Sequence, residues 1–166
     1  QLNKEIRSSL SAFETLVKQS PSVYSVSGVS RVPTRGSETA CINYGEEKRG
    51  CAYIYLTDFD YPEAMDFKLL AGRFFDRSIA SDSVGGFVVS ESTLAEFELG
   101  SPDEAIGKEF AKEFYPNGRI IGVVEDFHVY SLHRELSPAI MVLAPKEAYN
   151  FMAIRVSPKD VSRTLE

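Results

Sequence analysis

Within "IIGVVEDFHVYSLHRELSP", residues 120–138, five side chains able to do acid–base or metal chemistry fall inside eleven residues: Glu125, Asp126, His128, His133 and Glu135. The two histidines are the only ones in the chain. Imidazole and carboxylate together make the donor set of a hydrolytic metal centre, where a bound ion acidifies a water. They are also the parts of a general acid–base pair. Spacing speaks against a metal. Ligands converge from i and i+4 of a helix or from alternate positions of a strand, and His128 and His133 stand five apart. Phe127, Val129 and Leu132 read more simply as plugs that fix a strand exit to the core. We expect a structural turn here, with no catalytic, cofactor-binding or metal role for any of the five.

Other chemistry fares no better. The sequence has no G-x-S-x-G nucleophile elbow and no P-loop. "GVSRVPTRGS" holds glycines and arginines but lacks the glycine spacing that cradles phosphate, and reads as an exposed loop. Arg73 is expected to pair with Asp76 or Asp66 in a structural role. Glu46, Glu47, Lys48 and Arg49 read as the solvated tip of a hairpin. Tyr53, Tyr55, Phe74 and Phe75 are candidates for a partner-facing surface, although most of the aromatic residues belong in a core. Cys41 and Cys51, the only cysteines, are too few for a zinc site. If Gly45 and Gly50 close the hairpin between them, Tyr44 faces Cys51 and Cys41 faces Ile54. A disulfide then needs a shifted register or a bulge.

The elements that would position such groups belong to one ordinary domain or two small interleaved ones, in 166 residues. A hydrophobic content of 43% with 25% charged residues is that of a folded globular chain. The net charge of −6 offers no basic field for phosphates, which argues against nucleic acid. Apolar runs such as Ile120–Val124 are far shorter than the ~20 residues of a spanning helix. Leu2, Ile6, Leu10, Phe13, Leu16 and Val17 fall on one helical face, which we assign to a core contact rather than a membrane surface. Helical patterns at both ends suggest a piece of a longer chain.

Strands are expected at Val23–Val29, across a hairpin ending in "CAYIYLT", at "FVVS", near 108–112 and 119–125, at "AIMVL" and at "FMAIRV". Asp60 is placed to cap a short helix around Pro62–Met65, and Ser90 a helix over Glu91–Leu99 stopped by Gly100. Ser101-Pro102-Asp103-Glu104 carries the pattern of a capping box. Residues 76–86, rich in Ser, Asp and Gly, read as an exposed loop. Ser157-Pro158 is expected to start a final helix. Irregular alternation with hairpin-length loops points to a mixed α+β fold rather than a doubly wound parallel sheet.

Several blocks in order carry a further signal: "SVYSVSGVSRVP", "DFDYPEAMDFKLLAGRFFD", "GFVVSESTLAEFELGSPDEAIGKEF", "RIIGVVEDFHVYSLHRELSPAIMVL" and "FMAIRVSPKDVSRTLE". Together they resemble the extracytoplasmic (periplasmic) core domain of MacB/FtsX-like ABC transporter permeases. The resemblance implies a mixed-sheet domain between transmembrane helices, exposed to the periplasm at the cell inner membrane, with no enzymatic activity and no cofactor. It implies two interleaved subdomains. Residues 1–58 and 146–166 would form a membrane-proximal porter-like part, and 59–145 an inserted sabre-like part. It further implies transmembrane helices of the same permease, a cytoplasmic ABC ATPase, a periplasmic partner protein and a dimer in the full transporter. Leu2–Val17 and Pro158–Leu165 would be levers. A ligand- or peptide-binding module working alone, using the aromatic surface and the 31–37 loop, is the competing reading. A hydrolase using Glu125, Asp126, His128 and His133 is the third.

Overall fold

The computed structural model describes residues 10–32, 39–44, 48–110, 118–127 and 136–158. The chain runs from α1 (Leu10–Val17) into β1 (Val23–Val29), then through the hairpin of β2 (Thr39–Tyr44) and β3 (Lys48–Thr57). Next come α2 (Tyr61–Ala64), β4 (Leu69–Gly72), α3 (Ala80–Gly85), β5 (Gly86–Ser90), α4 (Glu91–Glu96) and α5 (Pro102–Ala105). β6 (Arg119–Val124), β7 (Ala139–Leu143), a 3-10 turn (Lys146–Ala148) and β8 (Phe151–Val156) complete it. All eight strands join one mixed sheet in the order β4-β6-β5-β7-β3-β1-β8, with β2 beside β3. β3 and β7 pair parallel, as do β5 and β6, while β5 and β7 are antiparallel. The fold is therefore α+β, as the irregular pattern predicts. Among the described residues no helix is long and apolar enough to cross a membrane.

β5 and β7 are buried along their whole length, which is why "FVVS" and "AIMVL" are continuous apolar runs rather than alternating ones. Their side chains divide between the two faces of the sheet. Phe87, Val89, Ile140 and Val142 enter a cluster with Ile42, Ala52, Phe97 and Phe110. Val88 and Met141 enter another with Val29, Tyr55, Tyr61 and Phe75. Tyr55 and Phe75 are thus core residues, and Tyr53 and Phe74 pack partly buried against the same cluster. The expected aromatic docking surface is not formed by these four. Burial of apolar neighbours on both faces of a strand leaves its aromatics nowhere else to go.

The hairpin register differs from the expectation. Tyr44 lies opposite Lys48 and Cys41 opposite Cys51, and the two cysteines are disulfide-bonded across a Cα–Cα distance of 4.0 Å. Gly50 is not a turn residue. It is buried within β3, where an added Cβ would meet the ring of Phe97. The glycine answers a close approach between strand and ring, and counting it into the turn shifts the register. Closing this short loop contributes on the order of 2–3 kcal/mol.

Three further expectations are revised. Residues 80–85 form α3 instead of an open loop, because Asp82 is 1% exposed and held by Arg73. Arg73 pairs with neither Asp76 nor Asp66, and Asp66 instead takes Arg155 at 2.8 Å. On α1, Leu10 is buried but Phe13 and Leu16 are 41% and 64% exposed, so the core assignment holds for only part of that face. In the expected 108–112 strand, Glu109 makes a single bridge to Arg119. The capping box at Ser101 forms with both of its hydrogen bonds. The helix expected after Ser157-Pro158 lies outside the described residues.

Candidate functional site

Of the five residues singled out in 120–138, two are described. Glu125 is exposed at the end of β6, its backbone bonded to the Lys68 carbonyl and its carboxylate 3.7 Å from the Lys68 ammonium. Asp126 accepts the backbone N–H of Ser92 at 2.8 Å. That amide is one of the orphan donors of the first turn of α4, so Asp126 caps the helix from the segment that follows β6. Ser90, at the expected cap position, has turned its hydroxyl to accept the Ala139 amide in the core instead. Phe127 stacks on Phe67 with centroids 4.4 Å apart and meets Tyr55 edge-on, the plug role read from the sequence. His128, His133 and Glu135 lie outside the described residues. Among the described residues no cluster of three or more His, Cys, Asp or Glu could hold a metal.

A cap of this kind is worth about 1–2 kcal/mol. Asp126→Ala is expected to lower stability by that amount in urea unfolding, and Asp126→Asn, which keeps an acceptor, by less. Equal losses in the two variants would mean that Asp126 does something other than capping.

A denser set of interactions lies where β1 and β3 end and α2 begins. Asp58 follows β3 and accepts the Ser27 hydroxyl, the Gly28 N–H at 2.6 Å and the Asp60 N–H at 3.0 Å. Burial pushes its carboxyl up, and the bonds from Ser27 and Gly28 offset this only in part. Asp60 occupies the N-cap position of α2 without capping it. One oxygen lies 2.9 Å from the Arg77 guanidinium and the other 3.6 Å from the Lys18 ammonium on the α1 side. Burial alone would raise Asp60, but Arg77 and then Lys18 outweigh it and hold the carboxyl below its usual range. Arg77 also covers the ring of Phe59 at 4.9 Å. Glu14 of α1 faces Lys146 of the 3-10 turn at 3.7 Å.

Tyr149 closes the arrangement from the other side. Its ring lies on Gly28, where no Cβ would fit, and its hydroxyl donates to the carbonyls of Thr57 and Ala144. These are the carboxyl ends of the parallel neighbours β3 and β7. An open cleft of about 400 Å³, lined by Phe59, Ser83, Leu143, Ala144, Pro145 and Tyr149, lies just beyond them.

Sequence reasoning missed this joint. Asp58 and Asp60 were visible as the acids of "DFD" after a strand, and Asp60 read as a helix cap. Neither the partner Lys18 nor Arg77 is near enough in sequence to be inferred. Each carboxylate here holds an element in place: Asp58 binds strand ends, and Asp60 binds a helix and a loop.

The profile of the MacB-like periplasmic core domain matches residues 4–165. Similar solved structures share the fold at low identity. The extracellular domain of the noncanonic ABC-type transporter YknZ from Gram-positive bacteria is 15% identical, covering 91% of this chain and 75% of that one, with a TM-score of 0.58. The periplasmic region of MacB from Actinobacillus actinomycetemcomitans is 18% identical over 93% of this chain and 69% of that one, also at 0.58. A domain of a putative permease protein from Porphyromonas gingivalis is 16% identical over 87% and 66%, at 0.56. Comparison with curated protein sequences gives no match.

Proposed function

Because the chain belongs to the family of MacB-like periplasmic core domains, we propose that it is a non-catalytic relay: the extracytoplasmic domain of an ABC transporter permease, carrying movement driven by a cytoplasmic ATPase to substrate or partner proteins. The observation that carries this reading is the joint itself. α1 and the residue after it are attached to a continuous eight-stranded sheet by the burial of Leu10 and by partly exposed ion pairs, Lys18 with Asp60 and Glu14 with Lys146. A relay requires a helix joined to a body through a few definable contacts, and no reactive residue is needed for it. The Cys41–Cys51 disulfide supports an oxidising setting such as the periplasm, which fits a domain outside the inner membrane. Transmembrane helices of the same permease, the ATPase, a periplasmic partner and a second copy of the permease are its proposed neighbours.

The proposed division into 1–58 with 146–166 and an inserted 59–145 agrees with the strand order. β1, β2, β3 and β8 come from the first part and β4 to β7 from the insert, and the two sets meet at β3 and β7. The test uses the intact transporter with its ATPase. Spin labels placed at Leu16 and Val84, 64% and 68% exposed, leave the core undisturbed, and the bridged cysteines do not react with the label. Distances between the labels should shift when ATP binds. Identical distributions with and without ATP would sink the relay.

A further inference from the structure

Asp60 holds two elements at once. Its carboxylate faces Lys18, just past α1, through one oxygen and Arg77, in the segment between β4 and α3, through the other. Beside Arg77, the Asp76 N–H donates to the carboxylate of Asp82 in α3, and Asp82 in turn grips Arg73. Asp76 also accepts the Ser78 amide on its side chain and the Ile79 amide on its carbonyl. A polar chain thus runs from the end of α1 to the helix beside the cleft. With both oxygens engaged, the Asp60 side chain has one orientation, and each cation profits from the order the other imposes.

From this geometry we infer that Asp60 couples α1 to α3 and the segment before it, so that displacing Lys18 loosens residues 76–82. The inference deepens the relay reading and rests on it: if α1 is the moving element, Asp60 is where its movement enters the inserted part. Arg77 and then Lys18 keep the Asp60 carboxyl below its usual range, so it is charged throughout the neutral range. The carriers are ordinary hydrogen bonds and ion pairs, and coupling through them is measurable as non-additivity.

The experiment is amide hydrogen exchange on this domain, read at Asp76, Ser78, Ile79 and Asp82. Lys18→Gln alters a side chain that is 49% exposed and leaves the core intact. Partly exposed ion pairs couple weakly, so exchange at these amides should rise about two- to threefold. In the Asp60→Asn background the same Lys18 change should do nothing further. Unchanged or slower exchange in the single variant would overturn the inference, as would an equal rise in both backgrounds. Because this readout needs neither membrane nor ATP, its failure leaves the spin-label test of the relay standing by itself.

Discussion

Arg73→Met is expected to lower the unfolding free energy by about 3–5 kcal/mol at neutral pH, the range for stripping a buried charge of its partner. The guanidinium grips Asp82 with two hydrogen bonds, at 2.6 and 2.9 Å, and Asp82 is 1% exposed whereas the Arg73 side chain is 41% exposed. The two partners are therefore unequal. Removing Arg73 strands a carboxylate in the core with the Asp76 N–H as its remaining partner among the contacts described above. Asp82→Asn instead leaves a half-exposed guanidinium that water can solvate, and should cost clearly less.

The pH dependence separates this explanation from simple loss of packing. In the native protein the Arg73 bonds hold the Asp82 carboxyl below its usual range, outweighing burial. Its contribution to stability is thus complete above the unfolded carboxylate value, about 3.9, and is lost as pH falls through the lower folded value. Without Arg73, burial dominates and the folded value rises above the unfolded one. The variant then gains relative stability on acidification, and the gap between the two proteins narrows. Urea unfolding of both at pH 7 and near pH 4.5 reads this directly. A gap that stays constant would mean that Asp82 is not the group responsible.

That pair also marks the limit of what the sequence could disclose. Strands β5 to β8 were legible because apolar runs of their length fit little else, and the Ser101 capping box because its geometry is local. Partner choice was not local. Arg73 had acids at Asp66, Asp76 and Asp82, and burial, which spacing does not reveal, selected the last. The same holds for caps: Ser90 and Asp60 stood at the right positions, yet core and tertiary partners claimed both side chains, and Asp126 supplied the cap of α4 from β6's end. Of the acid–histidine stretch, the plug role of Phe127 was readable, since an aromatic at a strand exit has a core to enter. The joint at Asp58, Asp60 and Tyr149 was not, because it assembles five separate segments, carrying Lys18, Gly28, Asp58, Arg77 and Tyr149.

Tyr149→Ala should be comparably costly, about 3–5 kcal/mol, because it empties a buried aromatic position. The residue is 3% exposed, and burial together with the Asp58 carboxylate pushes its phenol far up, so the hydroxyl remains a donor at every pH of an unfolding experiment. Tyr149→Phe keeps the ring and loses only the donation to Thr57 and Ala144, which should cost about 1 kcal/mol. Gly28→Ala attacks the same contact from below: its Cβ would fall within the ring, so the ring must move and its bonds across the ends of β3 and β7 with it. The decisive variant combines Gly28→Ala with Tyr149→Ala. With the ring gone the added methyl has room, and the double variant should be more stable than the sum of the single losses requires, by 1 kcal/mol or more on the order seen for residues in contact. Additive losses would place the ring elsewhere. Rescue would identify the Tyr149–Gly28 contact as the clasp between β1 and the segment that leads into β8.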